Sequence, residues 1–309
     1  MDKAQLEQGL EALKQAHGEW TYDIPLPYGV WTRGNLQIPH TRLRRIVQIV
    51  SDWGRKPLAQ CRVLDLGCLD GMFSIEFAQR GAQTIGVEIR EDNIRKAIFC
   101  KEALGLDNLE FRRDDVRNIA IETYGKFDVI ICSGLLYHLP ALDAIRLVQT
   151  MFAMTDGLVV VDTHVALEPR KMIHHEGHEY WGTLFREHSE KATPEQKAKS
   201  LWASADNSTS FWFTRPSLVN LLSGAGFSSV HECLTPAHLN YGQPGLEHRN
   251  RCTLVALKGE LCDLLTSPVV RGLREEFPER SLTYAPESTA MDLLKALGKK
   301  MLGGGRRKG

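Results

Sequence analysis

The run Val63-Leu64-Asp65-Leu66-Gly67-Cys68-Leu69-Asp70-Gly71-Met72-Phe73-Ser74 constrains this chain more than any other stretch. A short apolar run broken only by Asp65 reads as a buried strand leading into a glycine turn, and an apolar helix start follows it. A second strand then closes on a carboxylate in Gly86-Val87-Glu88. In an open α/β sheet such a unit makes a nucleoside pocket. The glycines let a ligand approach the backbone, and an acid about 20 residues on can hold ribose hydroxyls.

The spacing in the turn discriminates between ligands. A dinucleotide site calls for Gly-x-Gly-x-x-Gly, because pyrophosphate sits tightly on the helix N-terminus. Here the turn reads Gly67-x-x-x-Gly71, with Asp65 before it and Asp70 inside it. Two carboxylates repel a pyrophosphate and suit a ligand carrying an ammonium and a sulfonium. The loop therefore favours S-adenosylmethionine over a nicotinamide dinucleotide.

From these residues onward the chain resembles the class I S-adenosylmethionine-dependent methyltransferases. Their Asp-x-Gly-x-x-x-Gly pattern matches Asp65, Gly67 and Gly71, while Leu69 stands where a third glycine is common. The resemblance implies that Glu88 binds the ribose and that Asp115, in Arg112-Arg113-Asp114-Asp115-Val116, contacts adenine. The strand Phe127 to Ser133 ends in Gly134-Leu135-Leu136-Tyr137-His138, as in the family. The cofactor set expected on this basis is Asp65, Gly67, Cys68, Asp70, Gly71, Glu88, Ile89, Asp115, Val116, Ser133 and Tyr137. The implied fold is α/β, a doubly wound, seven-stranded, mostly parallel sheet.

Composition agrees with an enzyme of this kind. The chain has 309 residues, 43% of them hydrophobic, enough to bury a large core. Lys+Arg and Asp+Glu each number 38, so no global field steers a polyanion. None of the seven cysteines falls in a Cys-x-x-Cys pair, which suggests a reducing compartment. Without an apolar run of about 18–20 residues or a signal-like N-terminus, a cytoplasmic protein is expected.

Three regions are expected along the chain. Residues 1–40 hold an amphipathic helix over 3–16 and an aromatic, Pro- and Gly-rich cover from Trp20 to Gly34. Residues 41–260 alternate strand and helix as the methyltransferase domain, and segments 228–234 and 251–258 supply its last two strands, expected to be antiparallel. A polar insertion at about 166–213, with a charged helix near 194–203, leaves a strand's carboxyl end and belongs to the substrate side. Residues 261–309 add a helix over 289–301 and the basic tail Arg306-Arg307-Lys308. The tail reads as a solvated terminus, with an anionic-surface contact as the alternative.

Methyl transfer is a one-step displacement, so the protein mainly positions the reactants and, for a protonated nucleophile, supplies a base. His138, Asp162 and His164 are the catalytic candidates, each at a strand end facing the expected cleft. Each has a plainer reading as a structural hydrogen-bonding group. Substrate contacts are expected from Arg33, His178, Tyr180, Asn207, Trp212 and Arg251. His174 and His178 would share a helix face and invite a metal reading, but Gly177 weakens such a helix, methyl transfer needs no metal, and none is expected.

A thinner resemblance links the 20–34 segment, Leu135 to His138 and Arg251 to Ala256 to the bacterial enzymes that modify wobble uridine-5-oxyacetic acid in tRNA. It implies carboxy-S-adenosylmethionine, with Arg33 near a family lysine, Tyr137 on a family tyrosine and Arg251 near a family arginine. The primary expectation is methyl transfer to an oxygen, less so a nitrogen, of a polar small molecule, saccharide or secondary metabolite. The tRNA enzyme is the alternative.

Overall fold

The computed structural model describes residues 1–36, 40–233, 250–260, 262, 264–266 and 276–277. The expected helix over 289–301 and the basic tail lie outside them. Strands β1 (Arg62–Leu66), β2 (Gln83–Glu88), β3 (Leu109–Arg113), β4 (Phe127–Ser133), β5 (Thr155–His164), β9 (Ser229–Glu232) and β10 (Arg251–Leu257) form one sheet in the order β3-β2-β1-β4-β5-β10-β9. The neighbours among β1 to β5 pair in parallel. β10 pairs antiparallel with both β5 and β9, so β9 runs in the parallel direction and β10 alone is reversed.

The central parallel strands β1, β4 and β5 carry apolar residues on both faces because helices cover both. Leu64, Leu66, Ile130, Cys132, Val159 and Val161 face one core, completed by α6 (Ala141–Met154) and α8 (Arg215–Ala225). Val63, Val129, Ile131 and Val160 face the other, completed by α1 (Lys3–His17), α2 (Thr41–Trp53) and α3 (Met72–Gln79). The order reverses around β1, whose neighbours are β2 and β4. That switch point is where an open α/β sheet offers a crevice beyond the strand ends.

The N-terminal segment is a cover, as its prolines and glycines imply. A capping box between Asp2 and Gln5 starts α1, and Leu6 is buried. Residues 24–32 form a small hairpin with a Pro25–Trp31 bridge. The insertion departs from its sequence reading. Residues 174–178 are not helical: β6 (Lys171–His175) and β7 (His178–Arg186) form an antiparallel hairpin, extended by β8 (Thr209–Phe213). Glu176 (φ 51) and Gly177 (φ 81) turn it in two left-handed residues, the geometry that matches strand twist in two-residue hairpins. The charged helix is shorter than expected, α7 (Pro194–Lys199).

Candidate active site

The glycine turn is held by β2. The N–H groups of Gly67 and Cys68 both donate to the Val87 carbonyl, at 2.8 and 3.0 Å. Gly67 (φ 69), Leu69 (φ 51) and Gly71 (φ 90) are all left-handed. Leu69 therefore adopts unaided the conformation a glycine commonly supplies, a local strain of the kind concentrated at ligand sites. Glycine is required at position 71, where a Cβ would stand 2.6 Å from the Phe111 ring. Glu88 accepts from Leu69 N–H (3.1 Å) and Arg90 N–H (2.8 Å), which fixes its carboxylate against the turn. Burial pushes its carboxyl above the ordinary range, partly offset by those donors.

A cleft enclosing about 860 Å³, open to solvent, lies at this end of the sheet. Gly67, Leu69, Glu88, Ile89, Asp115, Val116, Ser133, Tyr137 and His138 line it. Ser133 Oγ is buried there with no hydrogen-bond partner among the described residues. Asp115 reaches the cleft with its carboxylate engaged by the Arg117 guanidinium, at 2.9 Å from Nε. Residues 201–206 of the insertion, here called the lid, line the cleft as well. Arg90 holds the lid through the carbonyls of Ala198 (3.1 Å), Ser200 (2.9 Å) and Ala203 (2.7 Å). The Trp202 side chain stands largely exposed at its tip.

The remaining expected cofactor residues lie behind this surface. Cys68 is buried beneath the turn and Asp65 accepts from Ser74 Oγ at 2.6 Å. Asp70 does not line the cleft; its Oδ2 accepts from the N–H groups of Thr21 (2.6 Å) and Tyr22 (3.0 Å). It thus ties the N-terminal cover to the turn and sets Tyr22 against the cleft. Burial raises the carboxyls of Asp65 and Asp70 to about 6.

Of the three catalytic candidates, His138 lines the cleft, whereas Asp162 and His164 do not. Asp162 is buried in a cationic grip. Its Oδ1 takes Arg251 Nε at 2.8 Å and lies 3.6 Å from Arg42, and its Oδ2 accepts from Thr253 at 2.7 Å. Burial opposes ionisation of this carboxyl, but the two guanidiniums outweigh it and hold it below the ordinary range. His164 meets Arg251 Nη1 at 3.1 Å and stacks on Trp212 at 4.8 Å. Burial and Arg251 together lower its basicity.

The expected substrate residues are scattered. Arg33 donates to the Thr21 carbonyl (3.1 Å) in the cover. Asn207 donates to the His138 carbonyl (3.4 Å), beside the cleft rather than on its lining. His178 pairs with Glu276 at 2.7 Å and Tyr180 is buried against Phe213, both in the hairpin sheet. Trp212 and Arg251 are taken up by His164 and Asp162. The sequence reading missed Arg90, Arg117, the lid and Glu187, which binds His138 Nδ1 at 3.0 Å. The arginines carried a signal, each two residues beyond a strand-end acid.

Comparison with known proteins agrees with this fold. A family model described as "Methyltransferase domain" matches residues 58–206. A ubiquinone biosynthesis O-methyltransferase of Psychrobacter cryohalolentis is 33% identical over 109 residues, 34% of this chain and 42% of the relative. The enzyme of that name from Leptothrix cholodnii is 33% identical over 127 residues, 41% of this chain and 52% of the relative. The chain thus spans about half the length of the curated relatives it matches. A solved N-terminal domain of EvdMO1, crystallised with SAH and D-fucose, shares the fold at TM-score 0.60 and 23% identity, over 84% of this chain and 97% of that one.

Proposed function

From a chain that carries a class I S-adenosylmethionine-dependent methyltransferase domain, we propose methyl transfer from S-adenosylmethionine to an oxygen of a polar small molecule. One observation carries the reading. The acid closing β2, the glycine turn after β1 and the histidine after β4, far apart in sequence, line a single cleft. The donor set fits the cofactor's chemistry. Glu88 offers acceptors to vicinal hydroxyls, Gly67 presents backbone without a side chain, and Ser133 Oγ has no partner among the described residues. When bound, the cofactor supplies an electrophilic methyl on a sulfonium leaving group.

The protein's own contribution is position and a proton acceptor. The lid, held by Arg90, limits water at the mouth. His138 takes the proton of the acceptor hydroxyl, a role typically worth about 10²–10⁴-fold. The names of the ubiquinone O-methyltransferase relatives support oxygen as the acceptor atom. No observation on the described residues favours the wobble-uridine alternative.

The test has two stages. S-adenosylmethionine at about 100 times its Kd should stabilise the fold by about 2.7 kcal/mol and raise Tm, because it binds only the folded state. Methyl-labelled cofactor is then offered with catechols, phenols, monosaccharides and amines, and the labelled atom is located by mass spectrometry. No Tm shift with the cofactor would refute the reading. Transfer to nitrogen compounds alone would correct its acceptor.

A further inference from the structure

Glu187 ends the insertion's long strand, yet its side chain is only 1% exposed. Both oxygens are used. Oε1 takes His138 Nδ1 (3.1 Å) and Ser210 Oγ (2.6 Å), and Oε2 takes His138 Nδ1 (3.0 Å) and Ser204 N–H (2.8 Å). Burial opposes its ionisation, but these donors outweigh it and hold the carboxyl below the ordinary range. An ionised carboxylate can only accept, so Nδ1 of His138 carries the proton. In the neutral ring the lone pair is then on Nε2, at the edge turned away from Glu187.

We propose that Glu187 is a positioning residue for methyl transfer, fixing the tautomer and orientation in which His138 presents Nε2 as the base. The proposal rests on the role given to His138 above. The proton leaving the acceptor hydroxyl passes to Nε2, giving an imidazolium, and later to solvent. Glu187 faces that imidazolium from Nδ1 and offsets its charge without taking the proton. The polar insertion thereby acquires a purpose beyond covering the cleft. It carries a carboxylate to a histidine 49 positions earlier in the chain, and its lid donates the Ser204 N–H that seats this carboxylate.

Two readouts test this, one without any acceptor. In ¹⁵N-histidine NMR at a pH where the ring is neutral, with His138 assigned from H138Q, wild type should show the Nδ1–H form. An Nε2–H form would overturn the proposal. With an acceptor that turns over, E187Q should lower kcat at least about tenfold, since loss of an orienting carboxylate costs up to about 10⁴-fold elsewhere. Acceptor KM and cofactor Kd should stay within about twofold, and in the H138Q background the effect should shrink below about twofold. Equal losses in both backgrounds, or none, would overturn it. If E187Q does not fold, S210A removes the donor to Oε1 and should lower kcat about threefold, again only where His138 is present; no such dependence overturns the proposal. Failure of wild type to bind S-adenosylmethionine would instead strike the methyltransferase reading.

Discussion

Asp115 and Asp206 are held on one guanidinium. Arg117 Nη2 stands 2.5 Å from a carboxylate oxygen of each, one at the end of β3 and the other on the lid. A residue that lines the cleft is thereby tied to the lid, through a cation two positions along the chain. Arg90 makes the equivalent tie beyond Glu88, bonding the Ala203 carbonyl of the same segment and those of Ala198 and Ser200 just before it. The lid and the cleft wall at Asp115 and Glu88 are joined through these two arginines.

Arg117→Gln should therefore weaken S-adenosylmethionine binding about two- to fivefold, because exposed pairs contribute about 0.2–1 kcal/mol. Asp206 is half exposed, so the difference should shrink as salt rises. Calorimetric titration at low and high salt checks this, together with limited proteolysis of the lid, which should quicken in the variant. Equal Kd and equal cleavage rates would show that Arg117 does not hold the lid.

Glu88→Ala should abolish most of the Tm rise that S-adenosylmethionine gives the wild type. The carboxylate is pinned by Leu69 N–H and Arg90 N–H and lines the cleft, so its loss removes the acceptor proposed for the ribose and also loosens the turn. Burial raises its carboxyl, so protonation on mild acidification should weaken cofactor binding before the fold is lost. A full thermal shift in Glu88→Ala would remove the ribose assignment.

Much of the sheet was legible because its signals are local. Glycines at 67 and 71, the strand-end acid and the apolar runs each specify geometry within a few residues. What eluded the sequence depends on where side chains turn. Asp70 looked like a cofactor ligand from its place in the turn, but its oxygen meets backbone N–H groups 48 and 49 residues earlier. His174 and His178 have the spacing of a helix face, and the Glu176-Gly177 turn places them on two strands instead. Glu187 sits in a polar segment where a buried acid has no local mark.

Asp65 should make stability depend on pH with an unusual sign. Its folded carboxyl, at about 6, lies above the ordinary 3.8 because burial disfavours the charge. Between these values the folded state keeps a proton that the unfolded chain releases. The stabilising contribution is present below about 4 and is lost as pH rises through 6. Asp65→Asn keeps an oxygen for the Ser74 hydroxyl and removes the charge, so its urea midpoint should decline less than the wild type's over that window, the remaining decline being that of Asp70, whose carboxyl is raised to the same value. At neutral pH it should be at least as stable as wild type. A parallel decline in both proteins would show that Asp65 does not hold the proton.

The buried Asp162 and the half-buried Arg251 should behave as a pair that supports the end of β5 rather than as reactive groups. Asp162 is buried, and Arg251, Arg42 and Thr253 engage its oxygens. Removing one partner strands a charge, which typically costs about 3–5 kcal/mol, whereas replacing both by apolar groups of similar shape is often neutral. Arg251→Met should therefore lower stability by about that amount. Asp162→Leu in the same chain should recover a large part of it, less what Arg42 then loses. Because the carboxyl is held below its ordinary range, the wild-type contribution is present above about 4 and fades as pH falls through the folded value. Urea denaturation of the two single variants and the double variant gives the coupling directly. Additive losses would mean that the pair has no mutual stabilisation, and unchanged stability in Arg251→Met would place the counter-charge on Arg42 alone.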